Sequence, residues 1–415
     1  MELAESTLAI TSCEVCGSVD LRPAVDLGLH PMCDDLVPVG DDRVCKEYPI
    51  EILFCDNCRT AHQRFQIPKH ELFPTTYHYR SRHTADVLNG MKELVAACEE
   101  SLGALAAKKV LDIGCNDGSL LSFFVEKGAI AFGIEPTGAA ADASQRGYTI
   151  VNDFFSEAVA EDFVRRHGQP DIVTFTNVFA HIEDLRSVLR ALQSVCHERT
   201  LIVIENHYLG AILDKNQFDT FYHEHPRTYS YTSFLHIAKS LGRDIVRAEF
   251  PKRYGGNIRI FMNAPQARSS VDDKQAAFTK AEELFGDRLD RLAENISLWK
   301  ANKLDELRRA VAQHGPIRAK AFPGRAAIPI KMLGLTTADM SAAYEKPGSA
   351  KIGHYIPGTH IEIKSDDDFD PGVTQAPLLN LAWHISNEIG TYLRQRGYTG
   401  QIIDIISPDD FIDRR

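Results

Sequence analysis

Between Phe218 and Tyr231 the chain reads Phe-Asp-Thr-Phe-Tyr-His-Glu-His-Pro-Arg-Thr-Tyr-Ser-Tyr. Tyr222, His223, Glu224 and His225 thus place four proton-handling side chains in consecutive positions. Neighbouring residues point in different directions on a helix or a strand, so neither period accounts for the cluster. The plain alternative is an exposed polar loop. The chemistry such residues can do is proton transfer. Histidine titrates near neutrality, a carboxylate can orient its ring, and a tyrosine hydroxyl can donate to a developing oxyanion.

The cysteines form a second constellation. Six of the nine lie in the first 58 residues, and Cys13-x-x-Cys16 and Cys55-x-x-Cys58 are two knuckle-type pairs. Clustering in a long chain points to metal rather than disulfides. Four thiolates close a tetrahedral structural zinc site with no open position, so the metal itself does no catalysis. A redox dithiol is the alternative. Cys33 and Cys45 lack a paired spacing and read as buried small residues or spare ligands.

The elements that must position these groups follow from length and pattern. The chain has 415 residues, more than one core's worth. Its 44% hydrophobic and 25% charged residues are those of an ordinary globular protein. The net charge of −11 argues against nucleic-acid or membrane-surface binding. No window approaches the ~20 apolar residues of a membrane span, and the acidic N-terminus does not suit a signal peptide, so a cytoplasmic setting is expected.

Lys108 to Leu121 reads as strand, glycine loop and helix, and brings Asp112, Gly114, Asn116 and Gly118 to a strand's carboxyl end. Ligands bind at that end of a doubly wound sheet. The acidic loop, with no Lys-Ser/Thr, suits a cationic sulfonium better than a polyphosphate. The next strand ends on Glu135, placed to accept ribose hydroxyls, and Asp153 and Phe154 could flank an adenine. A fourth strand leads to Asn177 and His181, and a fifth covers Leu201 to Asn206. This alternation is the S-adenosylmethionine (SAM) methyltransferase arrangement, and Gly114 to Gly118 lacks the Gly-x-Gly-x-x-Gly of an NAD-type domain.

The remaining stretches are read more coarsely. Tyr77 and Tyr79 would share one face of an extended segment and could enter a cleft, or simply cover a domain seam. Leu27 to Pro31 reads as a turn, and Asp272 to Gln313 as one long helical region that packs on a core or links domains. From residue 314 a second α/β unit follows, with strands expected at Pro316 to Phe322, Asn380 to His384 and Gln401 to Ile406. A glycine turn at Pro323-Gly-Arg makes Arg325, Lys331 and Lys351 candidate phosphate partners, unless that turn is plainly structural. The expected units are a zinc-binding domain over 1–72, a methyltransferase domain over 73–270, a linking helix over 271–313 and a substrate-binding α/β domain over 314–415.

In this order the parts closely resemble the sugar C-methyltransferases that act on nucleotide-linked 4-keto-deoxyhexoses, typically at C3. Phe218-Asp-x-x-Tyr222-x-Glu224-His225 is the most specific match, supported by Tyr77-x-Tyr79, Asp112 to Gly118 and Asn177 to His181. The family's C-terminal Gly-Tyr-Gly-Ala and Lys-Gln-Gly runs are replaced here, and its usual His before Gly-Gly is Tyr254.

The resemblance implies a nucleotide sugar held between the SAM domain and the C-terminal unit, with proton-handling roles on Tyr222, Glu224, His225, His181, Tyr77 and Tyr79. A carbon beside a ketone becomes nucleophilic once deprotonated. His225 suits the base with Glu224 orienting it, Tyr222 and Tyr77 or Tyr79 suit the enolate donors, and His181 is the second choice of base. Cofactors would be SAM and structural zinc, and the assembly a monomer or homodimer. The alternatives are transfer to carbon, oxygen or nitrogen of another small metabolite, and a non-catalytic SAM-binding protein.

Overall fold

The computed structural model describes residues 7–73, 80–83, 85–263, 272–372 and 376–412. In the N-terminal unit, strands β1 (Arg22–Pro31), β2 (Glu47–Cys55) and β3 (Thr60–Gln63) pair antiparallel. Leu27 to Pro31 is therefore strand, not turn. Gly28, at φ +84°, marks a register shift inside β1, and a glycine bulge of this kind is easily taken for a turn in sequence.

Helix α1 (Ala85–Leu102) leads into a seven-stranded sheet. Its first strands are β4 (Lys109–Ile113), β5 (Ile130–Ile134), β6 (Thr149–Val151), β7 (Ile172–Thr176) and β8 (Leu201–His207). These five run parallel in the order β8-β7-β4-β5-β6. Continuous apolar runs form strands of this kind because helices cover both faces. Val110 and Leu111 go to opposite sides, one joining α1's Val87, Met91 and Leu94, the other joining Phe163, Phe175 and Leu192.

Strand β9 (Arg227–Thr228) leaves this unit and pairs with β3, so it completes the N-terminal sheet. Strands β10 (Asp244–Glu249) and β11 (Asn257–Asn263) then extend the large sheet, with β11 antiparallel to β8.

The long helical region is two helices, Asp272–Glu282 and α2 (Phe285–His314). Phe285, Leu289, Leu292, Ile296 and Trp299 of α2 form one cluster with Val25, Ile50 and Phe54 of the N-terminal unit and Ile317, Ala343 and Ile363 of the C-terminal unit. This helix is a core spine that packs against both units.

The C-terminal sheet contains β12 (Ile317–Lys320), β13 (Met340–Glu345), β14 (Glu362–Ser365), β15 (Leu378–Asn380) and β16 (Ile402–Asp404), parallel in the order β16-β15-β12-β13-β14. The sequence pattern does not predict β13 and β14. The run Asn380 to His384 is strand only to Asn380, and Trp383–Ile385 is a 3-10 turn. His354–Tyr355 and Val37–Pro38 of the N-terminal unit close the far edge. β12 has successors on both sides, so the loop after it, carrying Gly324 and Arg325, emerges at a topological switch point. Among the described residues no helix is long and apolar enough to cross a membrane.

Candidate active site

The 218–231 stretch is anchored at its start by Phe218, whose ring lies 4.7 Å from Trp299 of α2. A 3-10 turn over Phe218–Thr220 and a bond from His225 N–H to the Tyr222 carbonyl fold the next residues tightly. β9 then fixes the exit. Tyr222 and His225 consequently meet, while His223 and Glu224 between them point away.

His223 points into the N-terminal unit, against the Tyr48 carbonyl at 3.1 Å. Glu224 is buried, and its backbone carbonyl accepts from His181 Nδ1 at 2.7 Å. His225 Nδ1 sits 3.3 Å from the Thr220 carbonyl, and Nε2 sits 2.9 Å from the Tyr222 hydroxyl. A carbonyl only accepts, so the ring proton is on Nδ1 and the Tyr222 hydroxyl donates to Nε2. Thr220 and Tyr222 hold this ring; among the described residues the carboxylate of Glu224, expected to do so, makes no bond to it. A tight turn sends adjacent side chains apart.

His181 and His207 flank His225, with ring centres 4.8 and 5.2 Å away. Burial lowers the His181 pKa to about 4 and that of His207 to about 3, the latter helped by Arg325 and His181. His225 lies well below its ordinary value because of burial and then its two histidine neighbours. His384, from the 3-10 turn after β15, is lowered to about 2 by burial and Arg325. All four are neutral at physiological pH and can accept protons. Burial likewise holds the Tyr222 hydroxyl far above its usual range, so it stays a donor.

The structure places Arg325 in this centre rather than at an open phosphate site. Its Nε lies 3.3 Å from Asp219 Oδ2, and its Nη1 donates to Thr220 Oγ1 at 3.0 Å. Lys331 is elsewhere, paired with Glu47 at 2.6 Å. Lys351 donates to the Phe322 carbonyl at 3.0 Å. Tyr254, at φ +55°, lies 5.7 Å from the His207 ring. Tyr77 and Tyr79 fall outside the described residues.

His207 and His384 were not foreseen as site residues, and Asp219 only as a motif letter. His207 had a usable signal, since it ends a parallel strand at the ligand-binding edge, as Asn177 follows one. His384 had none.

At the carboxyl ends of β4, β5 and β7 the residues expected to hold the cofactor converge. Gly114, at φ +70°, leaves no room for a side chain, because a Cβ there would lie 2.5 Å from Val178. Asn116, also left-handed, donates its N–H to Glu135 Oε2 at 2.9 Å. Gly118 precedes the helix Ser119–Glu126, and a Cβ on it would lie 2.8 Å from Tyr148. Glu135 Oε1 accepts from both the N–H and hydroxyl of Thr137. A carboxylate has about four acceptor positions, so roughly one is left for a ribose hydroxyl rather than two.

Asp112 is turned inward and accepts from Thr174 Oγ1 at 2.7 Å; burial raises its pKa to about 7. It shapes the strand end and offers little to a ligand. Asp153 is exposed and accepts from the Phe154 N–H, while Lys69 Nζ lies 4.5 Å over the Phe154 ring. Asn177, at φ +53°, is tied by Asn257 Nδ2 at 3.2 Å, and the neighbouring Thr176 hydroxyl is buried without a partner among the described residues. An acidic, glycine-lined edge with a spare buried hydroxyl fits a sulfonium cofactor with a ribose.

The sulfurs of Cys13, Cys16, Cys55 and Cys58 lie within 4.8 Å of one another. Cys13–Cys58 and Cys16–Cys55 are 3.4 and 3.5 Å apart. Four sulfurs at about 2.3 Å from one zinc ion have this spacing. His62 Nε2, 3.3 Å from Cys13, and Thr60 Oγ1, 3.0 Å from Cys58, support them, as outer partners of zinc thiolates do. All nine cysteines, Cys33 and Cys45 included, are free.

Residues 13–73 match the family model of a zinc binding domain, 82–248 that of a methyltransferase domain, and 252–406 that of a C-methyltransferase C-terminal domain. The C-methyltransferase NovU of Streptomyces niveus is 27% identical over 386 residues, 92% of this chain and 91% of that protein. A ubiquinone biosynthesis O-methyltransferase of Escherichia coli is 36% identical over 97 residues, 22% of this chain and 40% of its own length. The structure of magnesium protoporphyrin IX methyltransferase (ChlM) from Synechocystis PCC 6803 with bound SAM is similar at a TM-score of 0.34 and 16% identity, over 43% of this chain and 80% of that one. With three consecutive domain matches and a C-methyltransferase relative along 92% of its length, the chain belongs to the SAM-dependent C-methyltransferases that carry a zinc-binding unit.

Proposed function

We propose that the acceptor is a nucleotide-linked 4-keto-deoxysugar and that the carbon methylated is C3, beside the ketone. The observation that supports this reading is the Tyr222–His225 pair, a hydroxyl donor and a neutral imidazole Nε2 at 2.9 Å. Such a pair is what an enolisation needs: one group to polarise a ketone oxygen and one to take the proton from the adjacent carbon.

When the ketone enters, the Tyr222 hydroxyl turns from Nε2 to the carbonyl oxygen. Nε2 then accepts the proton from C3, while Thr220 keeps the ring in place through Nδ1. His181, with its Nδ1 on the Glu224 carbonyl, is the reserve base. Gly114, Gly118, Glu135 and Asn177 hold the cofactor, and Asn116 and Asp112 shape its loop. When bound, SAM supplies an electrophilic methyl group. The neutral histidines do not repel its sulfonium, and the buried surroundings keep water from the enolate. The nucleotide belongs at the switch point of the C-terminal sheet. The protein works as a monomer or homodimer in the cytoplasm, without nucleic acid or membrane partners.

The test is incubation without SAM in deuterium oxide. Deuterium enters C3 of a 4-keto nucleotide sugar with the wild-type protein, and His225→Asn abolishes the exchange while sparing SAM affinity. Exchange with none of a panel of such sugars would refute the acceptor assignment.

A further inference from the structure

Asp219 and Arg325 come from different units and meet in the interior, with side chains 1% and 9% exposed. Trp383 Nε1 donates to Asp219 Oδ2 at 2.9 Å, the same oxygen that faces Arg325 Nε. Arg325 Nη1 is used on Thr220. Among the described residues this leaves Asp219 Oδ1 and Arg325 Nη2 buried with no partner, and His207 Nδ1 and His384 Nδ1 likewise. Buried polar atoms are nearly always paired, so four orphans on neighbouring side chains point to a missing ligand group. The Arg325 guanidinium lies 5.7 Å over the Trp383 ring, and its charge acts on His207, His225 and His384.

We propose that Asp219 and Arg325, flanked by His207 and His384, form a specificity subsite for a hydroxyl of the acceptor, next to the carbon that is methylated. This rests on the keto-sugar reading above. The ion pair is neutral overall, so a phosphate or carboxylate placed there would meet the free Asp219 oxygen and be repelled. A hydroxyl both donates and accepts, matching the one free acceptor and the one free donor of the pair. Neutral imidazoles can take either tautomer and so serve a second hydroxyl.

The position follows from Thr220. Its side chain holds Arg325 and its carbonyl holds His225, so subsite and base are joined through one residue. Arg325, Trp383 and His384 all lie in the C-terminal unit, which therefore contributes to the reaction centre itself.

The test compares two nucleotide-linked 4-keto-6-deoxyhexoses that differ only in the hydroxyl at C2, the carbon flanking C3. Exchange without SAM and methyl transfer with SAM are both read on the full chain. A site built around a hydroxyl rejects the analogue lacking it, so the wild-type protein favours the hydroxylated sugar in kcat/KM by on the order of 100-fold or more. Asp219→Asn and Arg325→Gln bring the ratio within about tenfold, and SAM affinity is unchanged. Equal wild-type rates on both sugars, or variants that slow both alike, overturn the subsite and leave the keto-sugar reading standing. Wild-type exchange on neither overturns both. Should a variant misfold, the wild-type ratio still decides.

Discussion

Arg227 donates from Nη1 to Glu14 Oε2 at 2.5 Å, with its guanidinium fully buried. Glu14 lies between two zinc-binding cysteines, and Arg227 lies two residues beyond His225. Burial alone would raise the Glu14 carboxyl, but the Arg227 charge and bonds from His62 and Gln66 hold it down at about 2. The metal knuckle and the turn that carries Tyr222 and His225 are thus clamped by one charge pair.

Glu14→Gln leaves the Arg227 cation buried against a neutral amide. Removing one partner of a buried pair costs about 3–5 kcal/mol. Chemical denaturation of the zinc-loaded variant should show a loss of that order, while Glu51→Gln, whose Arg64 partner is about half exposed, should show almost none.

Acid should destabilise the protein through its histidines. An unfolded histidine titrates near 6.5, whereas the folded values are about 4 for His181 and about 3 for His207. As pH falls below 6.5 the unfolded chain takes up protons first, so stability is complete above 6.5 and declines towards the folded values. Each such histidine contributes up to about 1.4 kcal/mol per pH unit within its window. Denaturation midpoints between pH 7 and pH 4 measure the slope, and His207→Gln should flatten it.

Gly114→Ala would force a Cβ to 2.5 Å from Val178 at a left-handed φ. The loop must move to relieve this. SAM affinity should fall by at least about tenfold, measured by calorimetry, with zinc content unchanged.

Chelation should remove one zinc per chain by elemental analysis and lower the melting temperature. The unit it closes is too small to hold a core unaided. Deuterium exchange into the substrate should fall with it, because β9 hangs on β3. Unaltered exchange in metal-free protein would detach the knuckle from the reaction centre.

Much of this was legible in the sequence because its signals are local. Lys109–Ile113, Ile172–Thr176 and Leu201–His207 are apolar runs ending in chemistry-bearing residues, and two Cys-x-x-Cys pairs carry their own geometry. What could not be read depends on chain segments far apart. Glu14 reaches Arg227 across more than 200 positions, Arg325 finds Asp219 across about half as many, and His384 owes its place to β15. β13, Met-Ser-Ala-Ala-Tyr-Glu, has little β-branched character and becomes a strand because parallel neighbours flank it. The charges of Lys331 and Lys351 suggest phosphate partners, but they are taken up by Glu47 and the Phe322 carbonyl.

β9 supplies the fourth strand of the N-terminal sheet. As the chain leaves the ribosome, β3 is therefore synthesised with one row of amides and carbonyls open, and stays so until more than 160 further residues have followed. An open strand edge is a template for pairing with other chains. The segment that brings His225 to its place is also the cover that ends this sticky interval, so nascent chains halted before Arg227 are the ones most prone to cross-pair.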